Sequence, residues 1–199
     1  MLNSTDRIQK RIFDIVLSVG GICITWWIMI LAWIVASGET KTNGLFIQER
    51  IGKKGKPFLL FKIKTMRQLD GIDTTVTTSK DSRITKSGTF FRQTKIDELP
   101  QLFNVLFGTM SFVGPRPDVS GFADRLKDDD RQILEISPGI TGPASLKYKD
   151  EEKILSEQID PECYNREVIW PDKIKINKEY MENWSLLQDI KYIMKTIVG

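Results

Sequence analysis

Histidine is absent from this chain of 199 residues, and cysteine occurs only twice. Without histidine, the chain can form no Ser-His-Asp triad, no Cys-His pair and no imidazole-based metal site. Cys23 and Cys163 are too few for a disulfide framework or a zinc-ligand cluster. Any acid–base or nucleophilic chemistry must therefore come from carboxylates, lysine, tyrosine, serine or cysteine.

Strong net charge and low-complexity sequence are also absent. The formal charge is only +3, and 41% of residues are hydrophobic while 28% are charged. This balance is typical of a folded protein rather than a disordered one. The length suits one modest globular domain with an appendage.

Charge is missing from a run of 22 residues near the N-terminus, residues 15–36. A helix that crosses a bilayer needs roughly 20 such residues. The run is too long and too rich in tryptophan for the core of a signal peptide. We therefore predict a membrane helix and divide the chain into an anchoring segment, residues 1–40, and a domain, residues 41–199.

Basic residues flank this helix on both sides. They are Arg7, Lys10 and Arg11 before it, and Lys41, Arg50, Lys53, Lys54 and Lys56 after it. Because basic flanks favour the cytoplasmic side, both ends compete for that side. A helix that bends, for example at Gly20-Gly21, and returns to the same leaflet would satisfy both flanks, so the helix is either re-entrant or spanning.

Beyond the helix, the pattern predicts a β-hairpin with strands at about residues 45–49 and 58–65, joined by a Gly/Lys turn. Alternation along the second strand places Lys62 and Lys64 on one face, which suits either a half-solvated strand or a cationic site. The polar run at residues 68–82 predicts a surface loop. A C-terminal helix is expected at about residues 185–198, packed on the core or docked on the membrane.

The stretch KIDELPQLFNVLFG places two adjacent carboxylates, Asp97 and Glu98, before an apolar run at helical spacing. Proline at position 100 is tolerated only in a first turn, so we expect the helix to begin close to Asp97 and to stop at Gly108. Acidic residues commonly cap helix N-termini, which is one interpretation of the pair. Chemistry on a phosphate is the other.

Arginines near the acidic pair favour the second interpretation. Arg92 precedes the pair, and Arg116 follows the helix in the loop GPRP. The planar fork of arginine suits phosphate oxygens, and Mg²⁺ prefers one or two carboxylates together with substrate phosphates. A carboxylate can also attack phosphorus itself. Metal-assisted phosphoryl transfer is therefore chemically coherent here.

Four stretches occur in the order typical of one family: QERIGKKGKPFLLFKIKTM, FRQTKIDELPQLFNVLFGTMSFVGPRP, PGITG and ENWSLLQDIKYIMKTI. From about Lys10 onward the chain resembles the bacterial sugar transferases, which are monotopic polyprenyl-phosphate phosphoglycosyl transferases. It is similar to their minimal form, with one membrane helix and a catalytic domain. The DELPQLFNVL and MSFVGPRP blocks are the most specific part of the resemblance.

The resemblance implies transfer of a phospho-sugar from a UDP-sugar to a polyprenyl phosphate such as undecaprenyl phosphate, with release of UMP. It implies Mg²⁺, bound in part by Asp97, and a covalent phospho-sugar intermediate on that residue. Glu98 would orient or deprotonate the acceptor phosphate, and Lys62, Arg92 and Arg116 would bind substrate phosphates. Such enzymes start capsule, O-antigen, exopolysaccharide or glycoprotein glycan synthesis at the bacterial inner membrane, facing the cytoplasm, and need no nucleic-acid partner.

The expected fold class is α+β and membrane-associated, with a small, mostly helical cytoplasmic domain, a short hairpin and amphipathic interfacial helices. The chain departs from the family pattern at three places. Trp26-Trp27 stands where minimal members have a Ser-Pro bend, Ser137 stands where arginine is frequent, and Asn177 stands where an acid is frequent. The elaboration at residues 160–173 is expected to bear on sugar specificity. The alternative functions are an inactive membrane-anchored scaffold and a nucleotide-sugar hydrolase.

Overall fold

The computed structural model describes residues 2–67, 83–121 and 123–198, so the predicted loop at residues 68–82 lies outside the described residues. The strands are β1 Leu45–Ile51, β2 Pro57–Ile63, β3 Ser111–Val113 and β4 Gly139–Thr141. The helices are α1 Ser4–Thr40, α2 Lys86–Thr94, α3 Gln101–Phe107, α4 Pro143–Lys147, α5 Glu151–Ser156, α6 Pro161–Tyr164, α7 Trp170–Glu182 and α8 Leu186–Val198. The chain is thus a mostly helical α+β protein, as expected.

Helix α1 is one helix of 37 residues with defined ends. At its start, the Asn3 side chain accepts a hydrogen bond from the Asp6 amide, and the Asp6 carboxylate accepts one from the Asn3 amide. This reciprocal capping box satisfies two amides that the helix leaves free. The helix is long and apolar enough to cross a membrane, and it continues without a break through Gly20-Gly21.

The domain covers one face of α1 along most of its length. Buried residues recur every three or four positions in two stretches of the helix, first Lys10, Asp14 and Ser18, and then Met29, Ala32, Ala36 and Thr40. The other faces expose large apolar side chains, including Ile24, Trp26, Trp27 and Ile34. A helix of this kind packs on protein along one stripe and offers the rest of its surface to lipid.

Buried polar contacts fix the N-terminal half of α1 to the domain. Lys10 Nζ lies 2.5 Å from Asp189 Oδ2 in α8, and both side chains are almost fully buried. The hydroxyl of Tyr180 and the indole N–H of Trp184 also donate hydrogen bonds to Asp189. Both oxygens of this buried carboxylate accept hydrogen bonds, so the negative charge of Asp189 is compensated by groups within the fold.

The hairpin forms as predicted. β1 and β2 are antiparallel, with Leu45 opposite Ile63 and Ile51 opposite Pro57, and a turn through Lys53–Gly55 joins them. The second strand ends at Ile63 rather than at residue 65. Thr65 instead accepts a hydrogen bond from the Thr85 amide through its carbonyl, so the chain leaves the hairpin there.

A second, parallel pair of strands was not predicted. Ser111 of β3 pairs with Gly139 of β4, and Val113 pairs with Thr141. Glycine is required at this crossing because a Cβ on Gly139 would overlap the Gly114 amide, and one on Gly142 would overlap the Gly114 carbonyl. The sequence blocks GPRP and PGITG are therefore two halves of one close backbone contact.

Three predictions about where helices begin and end can be compared with the structure. α3 begins at Gln101, so the expectation that it begins close to Asp97 is wrong. Pro100 takes the N-cap position of α3, and Gly108 ends the helix with φ 83°, as expected. The C-terminal helix is confirmed at Leu186–Val198.

Candidate functional site

The two carboxylates lie in a short 3₁₀ turn, Ile96–Glu98, between α2 and α3. Lys95 caps the C-terminus of α2; its backbone is left-handed with φ 59°, and its amide donates to the Arg92 carbonyl. This reversal carries the chain back on itself directly before the acidic pair. It places the last turn of α2, with Arg92, near Asp97.

Lys62 is brought to the acidic pair by a buried clamp between β2 and α3. Asn104 of α3 is 1% exposed, donates to the Leu59 carbonyl at 2.6 Å and accepts from the Phe61 amide at 3.0 Å. With the strand fixed in this way, Lys62 Nζ lies 2.9 Å from Glu98 Oε1. The Lys62 side chain is only 21% exposed, so the interpretation as a half-solvated strand fails for this lysine.

Arg116 reaches the site from the loop that follows β3. The Gly114 amide donates to Thr141, and the Gly139 amide donates to Pro115, which fixes the start of the loop. Nη2 of Arg116 lies 3.9 Å from Glu98 Oε1, while 56% of its side chain remains exposed. An arginine held by its backbone but exposed at its tip is placed to meet an anion.

The electrostatic environment shifts the pKa values of the two carboxyl groups in opposite directions. Burial disfavours ionisation of Glu98, but the charges of Lys62 and Arg116 outweigh it and hold the pKa of Glu98 below its ordinary value. Burial and the negative charge of Glu98 raise the pKa of Asp97 to about 6. Two neighbouring acids with pKa values moved in opposite directions are typical of sites with distinct acid–base roles.

Asp97 does not cap the following helix. Its side chain is buried, and Oδ1 has no hydrogen-bond partner among the residues that the structure describes. The N-cap of α3 is Pro100, and no side chain caps that helix. A buried carboxylate oxygen without a donor costs free energy, which argues for a purpose other than stabilising the fold.

A cleft of about 1410 Å³ lies beside the acidic pair. Lys95, Glu98 and Arg116 are among its lining residues, whereas Asp97 is 7% exposed and is not one of them. Charged and polar side chains of the α4–α5 region and α7 line another part of the cleft, including Tyr148, Glu151 and Lys173. This volume is large enough for a substrate of several rings.

The structure brings together every site residue that the sequence indicated. Lys62 and Arg116 contact Glu98, and the charges of Lys62 and Arg92 act on Asp97. Sequence reasoning missed Lys95, whose charge acts on both carboxyl groups, although it directly precedes the sequence IDE. It also missed Asp118, two residues after Arg116, where burial raises the pKa to about 6 against the charges of Lys173 and Arg116.

Two carboxylates could serve as metal ligands here, but the described residues do not provide a complete set of protein ligands. Within residues 2–67, 83–121 and 123–198, no group of three or more His, Cys, Asp or Glu side chains is placed to hold a metal ion. Mg²⁺ is commonly bound by one or two carboxylates with substrate phosphates completing its ligands. The free oxygen of Asp97 beside Glu98 fits that pattern.

Comparison with known proteins shows which family the chain belongs to. The family model for bacterial sugar transferases matches residues 5–199. The uncharacterized sugar transferase EpsL of Bacillus subtilis (strain 168) is 32% identical over 96% of this chain and 86% of that protein. The putative undecaprenyl-phosphate N-acetylgalactosaminyl 1-phosphate transferase of the same organism is 37% identical over 72% of this chain and 80% of that protein.

A third relative is much longer than this chain. The UDP-glucose:undecaprenyl-phosphate glucose-1-phosphate transferase of Klebsiella pneumoniae is 32% identical over 98% of this chain, which spans 41% of that protein. The family model covers nearly the whole chain, and the relatives are matched over most of it. The chain therefore belongs to the bacterial sugar transferase family.

Proposed function

We propose that this protein transfers a phospho-sugar from a UDP-sugar to a polyprenyl phosphate, with Asp97 as the nucleophile and UMP as the leaving group. The observation that carries the proposal is the contrast within the acidic pair. Glu98 is paired with Lys62, whereas buried Asp97 keeps an oxygen that accepts no hydrogen bond from the described part of the chain. Two of these relatives are named as undecaprenyl-phosphate sugar phosphate transferases, which supports a phosphoglycosyl transferase as the class of enzyme.

In the first step, an Asp97 carboxylate oxygen attacks the phosphorus that carries the sugar. The bond between this phosphorus and the oxygen bridging it to UMP breaks, and UMP leaves with that electron pair as a dianion. No proton is needed for charge balance. Because Asp97 does not line the cleft, its carboxylate must turn toward the donor when the donor binds.

In the second step, an oxygen of the polyprenyl phosphate dianion attacks the same phosphorus. The bond from phosphorus to Asp97 breaks, which regenerates the carboxylate and gives a polyprenyl diphospho-sugar. Glu98 lies beside Asp97 and would orient the acceptor phosphate. Lys62, Arg92 and Arg116 would neutralise phosphate charge in both steps, an effect that strengthens in a site shielded from water.

Mg²⁺ is proposed as the cofactor, held by Asp97 together with the donor diphosphate. When bound, it would reduce the negative charge that a carboxylate nucleophile must approach. Chelation with EDTA should then abolish turnover, and added Mg²⁺ should restore it.

The position of α1 supports the use of a lipid acceptor. The domain packs along one face of this helix, so the acidic pair lies close to the membrane that α1 occupies. We place the catalytic domain on the cytoplasmic face of the bacterial inner membrane, where UDP-sugars are made. The product would start a surface polysaccharide or glycoprotein glycan.

Purified protein in detergent micelles would test the proposal with a panel of UDP-sugars, with and without undecaprenyl phosphate. We expect UMP release beyond one equivalent per protein only with the lipid and the accepted sugar. Continued UMP release without lipid, together with free sugar phosphate, would instead indicate a nucleotide-sugar hydrolase. No release with any donor would favour an inactive scaffold.

A further inference from the structure

Part of the cleft is lined by apolar side chains of α3 and α8. These are Leu102 of α3, Leu99 just before it, and Ile193 and Ile197 of α8, which together form the apolar part. The rest of the lining is mixed, with charged side chains such as Lys173 of α7 beside apolar ones such as Ile133. A nucleotide suits the charged side chains, whereas the apolar part suits a hydrocarbon chain.

The apolar part adjoins the membrane helix. A Cβ built on Gly21, within the charge-free run of α1, would lie 3.1 Å from Cδ1 of Leu102. Leu102 therefore contacts α1 through one side and lines the cleft as well. The cleft wall is thus continuous with the helix that meets lipid.

Helix α8 provides a second connection to the membrane. Leu187, Ile190, Met194 and Ile197 recur at three- and four-residue spacing, and they are between 40% and 73% exposed. Such spacing forms one apolar stripe on the helix surface. The stripe ends at Ile197, which also lines the cleft.

A lysine side chain lies at the Ile197 end of this apolar stripe. Lys195 is exposed and lines the cleft beside Ile197, whereas Lys191, one turn earlier and also exposed, does not line it. A long basic side chain next to an apolar stripe is suited to an anionic lipid, with its methylenes on the chain and its ammonium on the headgroup.

From these observations we infer that the groove between α3 and α8 binds the acceptor lipid. Its first isoprene units would lie against Leu99, Leu102 and Ile197, and Lys195 would contact its phosphate. This inference rests on the proposed function, since it assigns the second substrate of that reaction. It also assigns donor and acceptor to different parts of one cleft, with the acidic pair beside both.

The test separates the two half-reactions of full-length protein in detergent micelles. Adduct formation is measured by intact mass with the UDP-sugar alone. Adduct discharge is then measured with increasing undecaprenyl phosphate. Lys195→Glu should raise the lipid concentration for half-maximal discharge by roughly tenfold, since a basic residue near an anionic lipid is replaced by a repulsive one. Adduct formation should change less than twofold.

Matched variants on the same helix serve as controls. Lys191→Glu makes the same charge change outside the cleft, and Met194→Asn makes the same polarity change as Ile197→Asn outside it. We expect Ile197→Asn to weaken use of the lipid and both controls to behave like wild type. Inorganic phosphate should not compete with the lipid, because the isoprenoid chain contributes to binding.

Equal effects of Lys195→Glu and Lys191→Glu would overturn the inference, since both would then act only through membrane attachment. Slower adduct formation in Lys195→Glu would assign that lysine to the donor and would overturn it as well. Competition by inorganic phosphate would indicate an anion site without a lipid groove. A wild type that forms an adduct and discharges it supports the proposed function whatever these variants do, whereas one that does neither contradicts it.

Discussion

Lys62 and Glu98 form an ion pair of 2.9 Å across 36 residues of sequence. This ion pair makes the neighbouring acids Asp97 and Glu98 differ in how readily they ionise. Glu98 is kept ionised by the cations around it. Asp97 is buried next to that fixed negative charge, which contributes to its raised pKa. One acid of the pair therefore serves as a constant charge, and the other titrates closer to neutral pH.

The first prediction concerns this titration. Because the pKa of Asp97 is raised to about 6, its nucleophilic form is lost as pH falls through that value. The kcat/KM for the UDP-sugar should therefore decline below about pH 6. Glu98→Gln removes a negative charge that raises the pKa of Asp97, so the decline should move to lower pH.

Adduct formation measured against pH in wild type and Glu98→Gln checks this prediction. It isolates the step that uses Asp97, so it works even if Glu98→Gln turns over slowly. If the pH profile of Glu98→Gln were unchanged, or if its decline moved to higher pH, the loss of activity at low pH would not come from protonation of Asp97.

The second prediction concerns the glycine crossing that holds the Arg116 loop. Gly139→Ala would place a Cβ onto the Gly114 amide. Overpacking of this kind typically costs about 1–3 kcal/mol, and displacement of the loop should reduce UMP release as well. Gly20→Ala is the control, since a Cβ there meets nothing within 4 Å and alanine favours helix.

Thermal unfolding in detergent and UMP release, measured on both variants, check the glycine prediction. Gly20→Ala should match wild type in both. If Gly139→Ala also matched wild type in both, the close crossing would not be needed to hold the loop.

The third prediction concerns the buried pair that ties α1 to α8. Asp189→Asn leaves the buried ammonium of Lys10 without the carboxylate that it contacts directly. Breaking one side of a buried pair costs about 3–5 kcal/mol. Adding Lys10→Met should recover part of this stability, because it removes the unpaired charge.

An exposed pair provides the comparison. Glu167 lies 3.6 Å from Arg166, and both side chains are more than half exposed. Glu167→Gln should change stability by only about 0–1 kcal/mol. Urea unfolding of wild type and these three variants decides the matter, and a double variant less stable than Asp189→Asn would contradict the role assigned to Lys10.

The fourth prediction concerns topology. The domain packs on α1 from Lys10 to Thr40, which is difficult if one end of the helix lies across the membrane. We expect both ends to face the cytoplasm, which an unbroken α1 can achieve only by lying along the membrane surface and not by bending back through it. With Cys23 and Cys163 replaced by serine, single cysteines at exposed Thr5 and Glu49 should both react with an impermeant thiol reagent in inverted vesicles.

Neither position should react in intact cells. Reaction of the Thr5 position in intact cells, with the Glu49 position reacting only in inverted vesicles, would show that α1 crosses the membrane. The division into residues 1–40 and 41–199 would then stand, but the packing of α1 on the domain would not hold in the membrane.

The sequence predicted the elements of the site better than their arrangement. Local signals were sufficient for the hairpin, for the stop at Gly108 and for the C-terminal helix. Strand alternation placed Lys62 on a face but could not show what that face meets. The answer depends on Asn104, a polar residue on α3 whose side-chain clamp to β2 has no local signature.

The start of α3 was predicted wrongly for a physical reason. Pro100 was taken to lie within the first turn of the helix, whereas it occupies the N-cap position of α3, so the predicted start came a few residues too early. The reversal at Lys95 is equally hard to predict, because lysine rarely adopts a positive φ. The parallel contact of β3 with β4 joins glycine motifs that lie far apart in sequence.

The fifth prediction tests the central claim, that Asp97 is the nucleophile. Asp97→Asn preserves the size of the side chain and removes only the charge that attacks phosphorus. Intact mass spectrometry of wild type, Asp97→Asn and Glu98→Gln, each incubated with the accepted UDP-sugar and Mg²⁺ but no lipid, measures the intermediate directly. We predict a gain of one phospho-sugar in wild type and Glu98→Gln and none in folded Asp97→Asn, with the modification mapping to Asp97. An adduct on Asp97→Asn, or one that maps to Glu98 in wild type, would contradict the account.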